Sequence, residues 1–521
     1  MIAEALHLFN GRIWTGDPAR PWAASIMIRQ GRIESLDGST LAPSMRVVDA
    51  AGRTVAPGLI DSHLHLLRGG KSLSELDLSL VRSRREFQSR IAQRHLKLAP
   101  GQWLIASGWS QENWPGSQMP DKSWLAGVGD RPTVCYRMDM HVAVVNDAVL
   151  QFCDLQRDPP GGTIQRDPRN NEPTGLMIEA AAWQIVNRII PESTPADRQR
   201  YLLEAQRHAH LLGLTSVGTM EYAKDVADVF EPVRDQLTLR CRVTLLDRGW
   251  PMDFSYGRDF RNDDHLAVIG YKAFIDGTLG SRTARMLHDY ADDPGNRGLL
   301  VELAADGHLR DWAIAVAENG LSPSMHAIGD EAVRLALDAI EGLPAKARPR
   351  IEHAQQVDRS DIPRFRSEGW GQIASMQPLH KADDCRSIRK RLSADRLQGT
   401  FAFRSLKKAG AVLAFGSDWP VVSIDPLLGI RAAVTGLTLD GEVFGADQNL
   451  TVEEALRAYT ADAAFSLSME DAGVLRPGAV GDLVMFARDP FTADWVNDPP
   501  RVEMTVAGGQ VVYHAGARRQ A

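Results

Sequence analysis

Eight short apolar runs between Val55 and Asp418, separated by longer stretches of helical character, constrain this chain more than any other feature. Such alternation builds βα units around a parallel sheet, because parallel neighbours need a crossover that returns the chain to the same end. The runs are Val55–His65, Thr215–Met220, Cys241–Asp247, Ala267–Asp276, Ser322–Ile328, Pro349–Gln355, Gly371–Gln377 and Ala411–Asp418. Helices are expected at Asp311–Glu318, Glu331–Ile340 and Phe403–Lys408. Eight strands predict an α/β chain with a (β/α)8 TIM barrel over residues 56–469, its chemistry gathered at the C-terminal strand ends.

The spacing breaks once. About 150 residues separate the first run from the second, too many for a loop without structure of its own. Strand-like Gln102–Ser107 and Thr133–Met138 and a helical Met177–Arg188 lie there, so 66–200 reads as an inserted subdomain or lid. The two ends have a different texture. Ala5–Phe9, Arg12–Thr15 and Ala24–Arg29 are short strands, with Asn10-Gly11 and Gln30-Gly31 as hairpin signals. Asp482–Phe486, Glu503–Val506 and Gln510–Tyr513, with Gly508-Gly509 between the last two, repeat that texture. Residues 1–55 and 470–521 are therefore expected to assemble one composite β-sandwich.

Composition narrows the partners. The 59 Lys and Arg against 66 Asp and Glu leave a formal charge of −7, and Arg82-Ser83-Arg84-Arg85 reads as a solvated helix face. No nucleic-acid partner is expected, since its affinity would rest on clustered basic residues. No apolar run approaches the roughly 20 residues that cross a bilayer, and no basic-then-apolar leader opens the chain. Cys135, Cys153, Cys241 and Cys385 form no CxxC pair and suit a reducing compartment. The expectation is a cytoplasmic protein acting on a small molecule, away from membranes; a homodimer is compatible with it.

His63-Leu64-His65 ends the first run. Residues i and i+2 of a strand share a face, so both imidazoles aim into one space, as two zinc ligands would. Alone, the pair also reads as two polar residues at a strand end. Its weight comes from His326, His353 and Asp418, each at or near the end of another run, where a barrel collects distant side chains. Lys272 stands inside an apolar strand, where a charged ammonium is costly. It is either paired with a carboxylate such as Asp276, or deprotonated and able to take up CO₂ as a metal-bridging carbamate.

These residues carry a resemblance. Ala56-Pro57-Gly58-Leu59-Ile60-Asp61-Ser62-His63-Leu64-His65, Lys272 with Asp276-Gly277, the His326, His353 and Asp418 segments, Gln377-Pro378 and Pro477-Gly478-Ala479-Val480-Gly481-Asp482 resemble the metal-dependent amidohydrolase superfamily. The similarity is to amidohydrolase family 3, the YtcJ-like group, and runs nearly end to end. It implies His63 and His65 on one divalent metal, His326 and His353 on a second, and Lys272 as an N6-carboxylated bridge. Asp418 binds metal and handles protons. One or two ions, zinc by ligand type, are implied, and the reaction is hydrolysis of an amide, N-acyl, N-formyl or cyclic amide bond. The same site would also serve a carboxyl or phosphate ester, and a barrel without chemistry would serve binding alone.

For the pocket, His141 resembles a histidine of the family's insertion, though a structural histidine fits equally. Trp109 and Trp419 are candidate apolar walls, with core packing the alternative for each. His380, after the seventh strand, is expected to face the cavity. Arg282 is a candidate carboxylate anchor or a loop ion pair.

Overall fold

The computed structural model describes residues 5–38, 45–111, 114–137, 142–159, 162–179, 181–367 and 370–516. They divide into two compact units, one of residues 1–69 and 202–521 and one of residues 70–201.

In the first unit an eight-stranded parallel sheet comprises Leu59–Leu64, Leu214–Glu221, Arg240–Leu245, Leu266–Phe274, Ser322–Ala327, Arg350–His353, Ile373–Met376 and Val412–Phe415, in that order. Every one of the eight expected runs supplies a strand, and every neighbouring pair is parallel. The first and last strands are joined by Asp418 N–H donating to the His63 carbonyl at 2.7 Å. Gly416 permits that approach: a Cβ there would meet His63 N at 2.6 Å. The expected helices lie at Leu309–Glu318, Asp330–Ile340 and Phe403–Ala409, each presenting buried apolar side chains on one stripe.

Two further sheets come from the ends of the chain. Arg32–Leu36, Ile26–Arg29, Leu6–Phe9 and Arg46–Asp49 form one. Gln510–His514, Val502–Ala507, Leu483–Phe486, Thr54–Pro57, Arg12–Trp14 and Trp22–Ala23 form the other, so C-terminal strands pair directly with N-terminal ones. Leu6, Leu8, Ile26 and Ile28 of one sheet share a buried core with Ile13, Val55, Leu483 and Met504 of the other. Gln30-Gly31 and Gly508-Gly509 make the hairpins expected of them.

Two expectations are corrected here. Asn10-Gly11 turns the chain but closes no hairpin, because Leu6–Phe9 and Arg12–Trp14 join different sheets. The run Val55–His65 is two strands, broken at Gly58: Thr54–Pro57 pairs with Leu483–Phe486, and Leu59–Leu64 opens the barrel.

The unit of residues 70–201 holds a six-stranded mixed sheet in the order Gly162–Arg166, Pro173–Glu179, Val142–Val145, Thr133–Arg137, Leu104–Trp109, Leu76–Asp77. It has two apolar cores of its own, one around Phe87, Trp109, Trp114 and Trp124, the other around Val134, Val145, Ile164 and Met177. The helix expected over Met177–Arg188 is corrected: a strand runs to Glu179, and helical turns begin only at Ala181. Arg84–His95 is helical, capped by Ser83 accepting from Glu86 N.

Candidate metal centre

The barrel brings His63, His65, Lys272, His326, His353 and Asp418 to the C-terminal ends of its first, fourth, fifth, sixth and eighth strands. Ligand atoms of His63, His353 and Asp418 lie within 4.8 Å of one another. Asp418 Oδ1 is 3.3 Å from His65 Nε2 and 3.5 Å from His63 Nε2. The His326 ring stands edge-on to that of His353, centroids 4.5 Å apart, and His63 to His353 is 5.1 Å.

Each imidazole has one nitrogen tied to the surrounding frame. His63 Nδ1 is 2.6 Å from Glu352 Oε2, His65 Nδ1 3.3 Å from the Met220 carbonyl, and His353 Nδ1 2.8 Å from Gln377 Oε1. His326 is held the other way round, with Nε2 3.1 Å from the Gly277 carbonyl. Those acceptors fix the tautomers and leave Nε2 of His63, His65 and His353, and Nδ1 of His326, with a free lone pair. Four such nitrogens beside a carboxylate are the donor set of a divalent transition metal, so the residues present fit the implied ions.

The electrostatics favour ligation. Burial, reinforced by Lys272, lowers His63 to about 4 and His326 to about 3, and carries His353 well below the ordinary range. All three are thus neutral at pH 7, the form that binds metal. Burial would raise the Asp418 carboxyl, but the His65 hydrogen bond and the His63, His353 and His380 rings hold it well below the usual carboxylate range. Burial lowers Lys272 to about 8 against the pull of Glu352 and Asp418. The pairing with Asp276 is not formed: the Asp276 carboxylate accepts from Ile328, Gly329 and Arg285 backbone N–H groups at 2.8–3.1 Å.

Two of the candidate residues carry a strained backbone. His353 (φ 70°) and Asp418 (φ 59°) both sit in the left-handed region at their strand ends. Non-glycine residues hold that conformation where the surroundings over-determine it, a recurrent property of functional sites.

Beneath these side chains lies a buried polar layer that sequence reasoning missed. Glu352 accepts from Ser324 Oγ at 2.6 Å and pairs with Arg350 at 2.8 Å, while Arg350 Nη2 donates to the Ser62 carbonyl at 2.6 Å. Burial raises the Glu352 carboxyl, yet Arg350, His63 and Lys272 together pull it well below the ordinary value. Arg350 and Glu352, charged residues at alternate positions directly before His353, were the layer's visible signal. A cavity of about 630 Å³ opens beside Lys272, lined by Arg248, Trp250, Glu302, His308 and Trp312. Arg248 lies 4.3 Å over the Phe274 ring, which stacks on His326 at 5.2 Å.

The pocket candidates fall in different places. His380 is buried, its ring parallel to His353 at 6.3 Å. Trp419 is buried and tilted against His208 at 5.9 Å. Arg282 is engaged by Asp292 through two hydrogen bonds of 2.7 and 3.1 Å, the loop ion pair. Trp109 is fully buried among the aromatics of the 70–201 unit, its indole N–H donating to the Cys135 carbonyl. His141 lies outside the described residues.

Residues 46–513 match the family model described as the amidohydrolase family. The chain belongs to that family. The YtcJ protein of Bacillus subtilis is 31% identical to this amidohydrolase-family chain over 93% of each. An N-substituted formamide deformylase of Arthrobacter pascens is 24% identical over 93% of this chain and 94% of its own. Among solved structures, an uncharacterized metal-dependent hydrolase from Pyrococcus horikoshii matches with TM-score 0.77 and 28% identity, covering 95% of this chain and all of that one.

Proposed function

We infer that this amidohydrolase-family member hydrolyses a C–N bond of a small molecule, an amide, N-acyl, N-formyl or cyclic amide, with Asp418 as the proton carrier. The observation that carries the reading is the Asp418 carboxylate, kept ionised and facing His63 Nε2 and His65 Nε2 at 3.5 and 3.3 Å. His63 and His65 would hold one divalent ion, His326 and His353 a second, with Lys272 as an N6-carboxylated bridge and Asp418 as a further ligand. Zinc suits this imidazole-rich set. When bound, the metal lowers the pKa of water toward neutrality and polarises a carbonyl.

Asp418 takes the proton released as water adds to the substrate carbonyl. The C–N bond then breaks, and Asp418 returns that proton to the departing nitrogen, giving a carboxylic acid and an amine. An amine leaves poorly unless protonated, so one carboxylate serving both steps is economical. The C–N preference is supported by the formamide deformylase among the relatives. Four free cysteines, three of them buried, suit a cytoplasmic setting, and no helix among the described residues is long and apolar enough to cross a membrane.

Hydrolysis of a carboxyl or phosphate ester is the alternative for the same site. Metal-reconstituted protein assayed on paired amide and ester substrates, together with N-acyl and N-formyl panels, separates the two. Turnover of an N-acyl or N-formyl compound is expected. Ester cleavage with no amide cleavage would overturn the C–N reading, and protein purified without chelators that carries no metal would overturn the metal reading.

A further inference from the structure

His380 is the second polar feature at the centre that the proton-transfer scheme leaves unused. It stands in the first turn of helix Pro378–Arg391, which begins directly after the seventh barrel strand and so at the catalytic end of the barrel. The residue is 9% exposed, and its Nε2 is buried without a hydrogen-bond partner. Its ring lies parallel to that of His353, 15° between planes, and it acts electrostatically on Asp418. The neighbouring ring of His353 has its nitrogen held by Gln377, three residues earlier; His380 Nε2 has no such anchor.

A buried polar nitrogen without a protein partner is disfavoured, and beside this centre a polar atom of the substrate would satisfy it. We propose that His380 is a catalytic residue that donates from Nε2–H to the substrate's carbonyl oxygen as that oxygen becomes negative. The proposal rests on the hydrolytic reading of the centre but not on nitrogen as the leaving atom. Addition of water turns the planar C=O into a tetrahedral carbon bearing an oxyanion, and a donor already oriented there stabilises the transition state more than the ground state. No atom is transferred to or from His380: Asp418 carries the proton, and His380 contributes one hydrogen bond that strengthens and then relaxes.

The test uses metal-loaded full-length protein and three probes: p-nitrophenyl acetate, p-nitroacetanilide and methylphosphonate, a tetrahedral oxyanion that cannot be hydrolysed. His380→Ala is expected to lower kcat about 10²–10³-fold on whichever carbonyl probe is cleaved, with KM and metal content near those of the wild type. His380→Gln, which keeps an N–H donor, should recover part of that loss. Calorimetry should show methylphosphonate bound at least about tenfold more weakly by His380→Ala. Cleavage of the ester but not the anilide removes the C–N reading while leaving this test intact. Unchanged kcat in His380→Ala, loss of metal from it, or methylphosphonate that binds both proteins equally or binds neither, each overturns the proposal.

Discussion

Glu352 Oε2 lies 2.6 Å from His63 Nδ1, one buried charge-assisted hydrogen bond that ties the sixth barrel strand to the first. It holds the His63 ring with Nε2 toward the centre, and Arg350 in turn holds Glu352. Glu352→Gln keeps an acceptor but removes the charge that compensates Arg350. Metal affinity should fall about 10–100-fold, and stability by about 3–5 kcal/mol, the cost of leaving a buried ion unpaired. Competition with a chromogenic chelator and thermal unfolding measure the two; wild-type metal affinity would show that the ring needs no such support.

Asp418→Asn should cut turnover about 10²–10⁴-fold or more while metal stays largely bound, because the imidazoles remain. Steady-state kinetics beside metal analysis by mass spectrometry decides it. Near-normal kcat would remove Asp418 from proton transfer.

Gly69 and Trp419 touch so closely that a Cβ on Gly69 would fall 2.0 Å from the indole Cε3. Gly69→Ala must therefore push the indole aside and with it the adjacent Asp418. A displacement of about 1 Å at the proposed proton carrier can cost about 10²-fold in kcat. A folded variant with shifted tryptophan fluorescence and depressed kcat is expected; an unaltered rate would mean that Asp418 is positioned independently of Trp419.

The metal-free protein should be acid-sensitive in a defined window. His63 and His326 titrate at about 4 and about 3 when folded, against an ordinary 6.5. Between those values the unfolded chain binds protons that the folded chain refuses, so these two groups contribute stability above pH 6.5 that is lost as pH falls through 4 and 3. Asp61 and Asp276, raised to about 7 by burial, act in the opposite sense, gaining stability as pH falls. The informative quantity is thus a difference. Chelator-treated His326→Asn should lose less melting temperature than the wild type between pH 6.5 and 4, and parallel curves would contradict the assignment.

The barrel was legible because strands buried on both faces need continuous apolar runs, and His326, His353 and Asp418 interrupt such runs at their ends. Partner choice was not legible. Asn10-Gly11 has the local chemistry of a hairpin turn, but which strand Arg12–Trp14 joins is decided by a core that includes Leu483 and Met504, more than 400 residues away. The tautomers were hidden for the same reason: the Gly277 carbonyl sets His326 from another strand's loop. Arg248, Trp250 and His308 form a cavity wall only after folding, and nothing in their local sequence distinguishes them from surface residues.

Thr54–Pro57 leads straight into the first barrel strand, yet one of its two neighbours, Leu483–Phe486, lies more than 400 residues further along the chain. While the ribosome makes the intervening chain, that strand presents an open edge, the kind that recruits other chains. Completion of its sheet therefore waits on residues far along the chain, and this edge stays available to other strands until Leu483–Phe486 has been made and has docked.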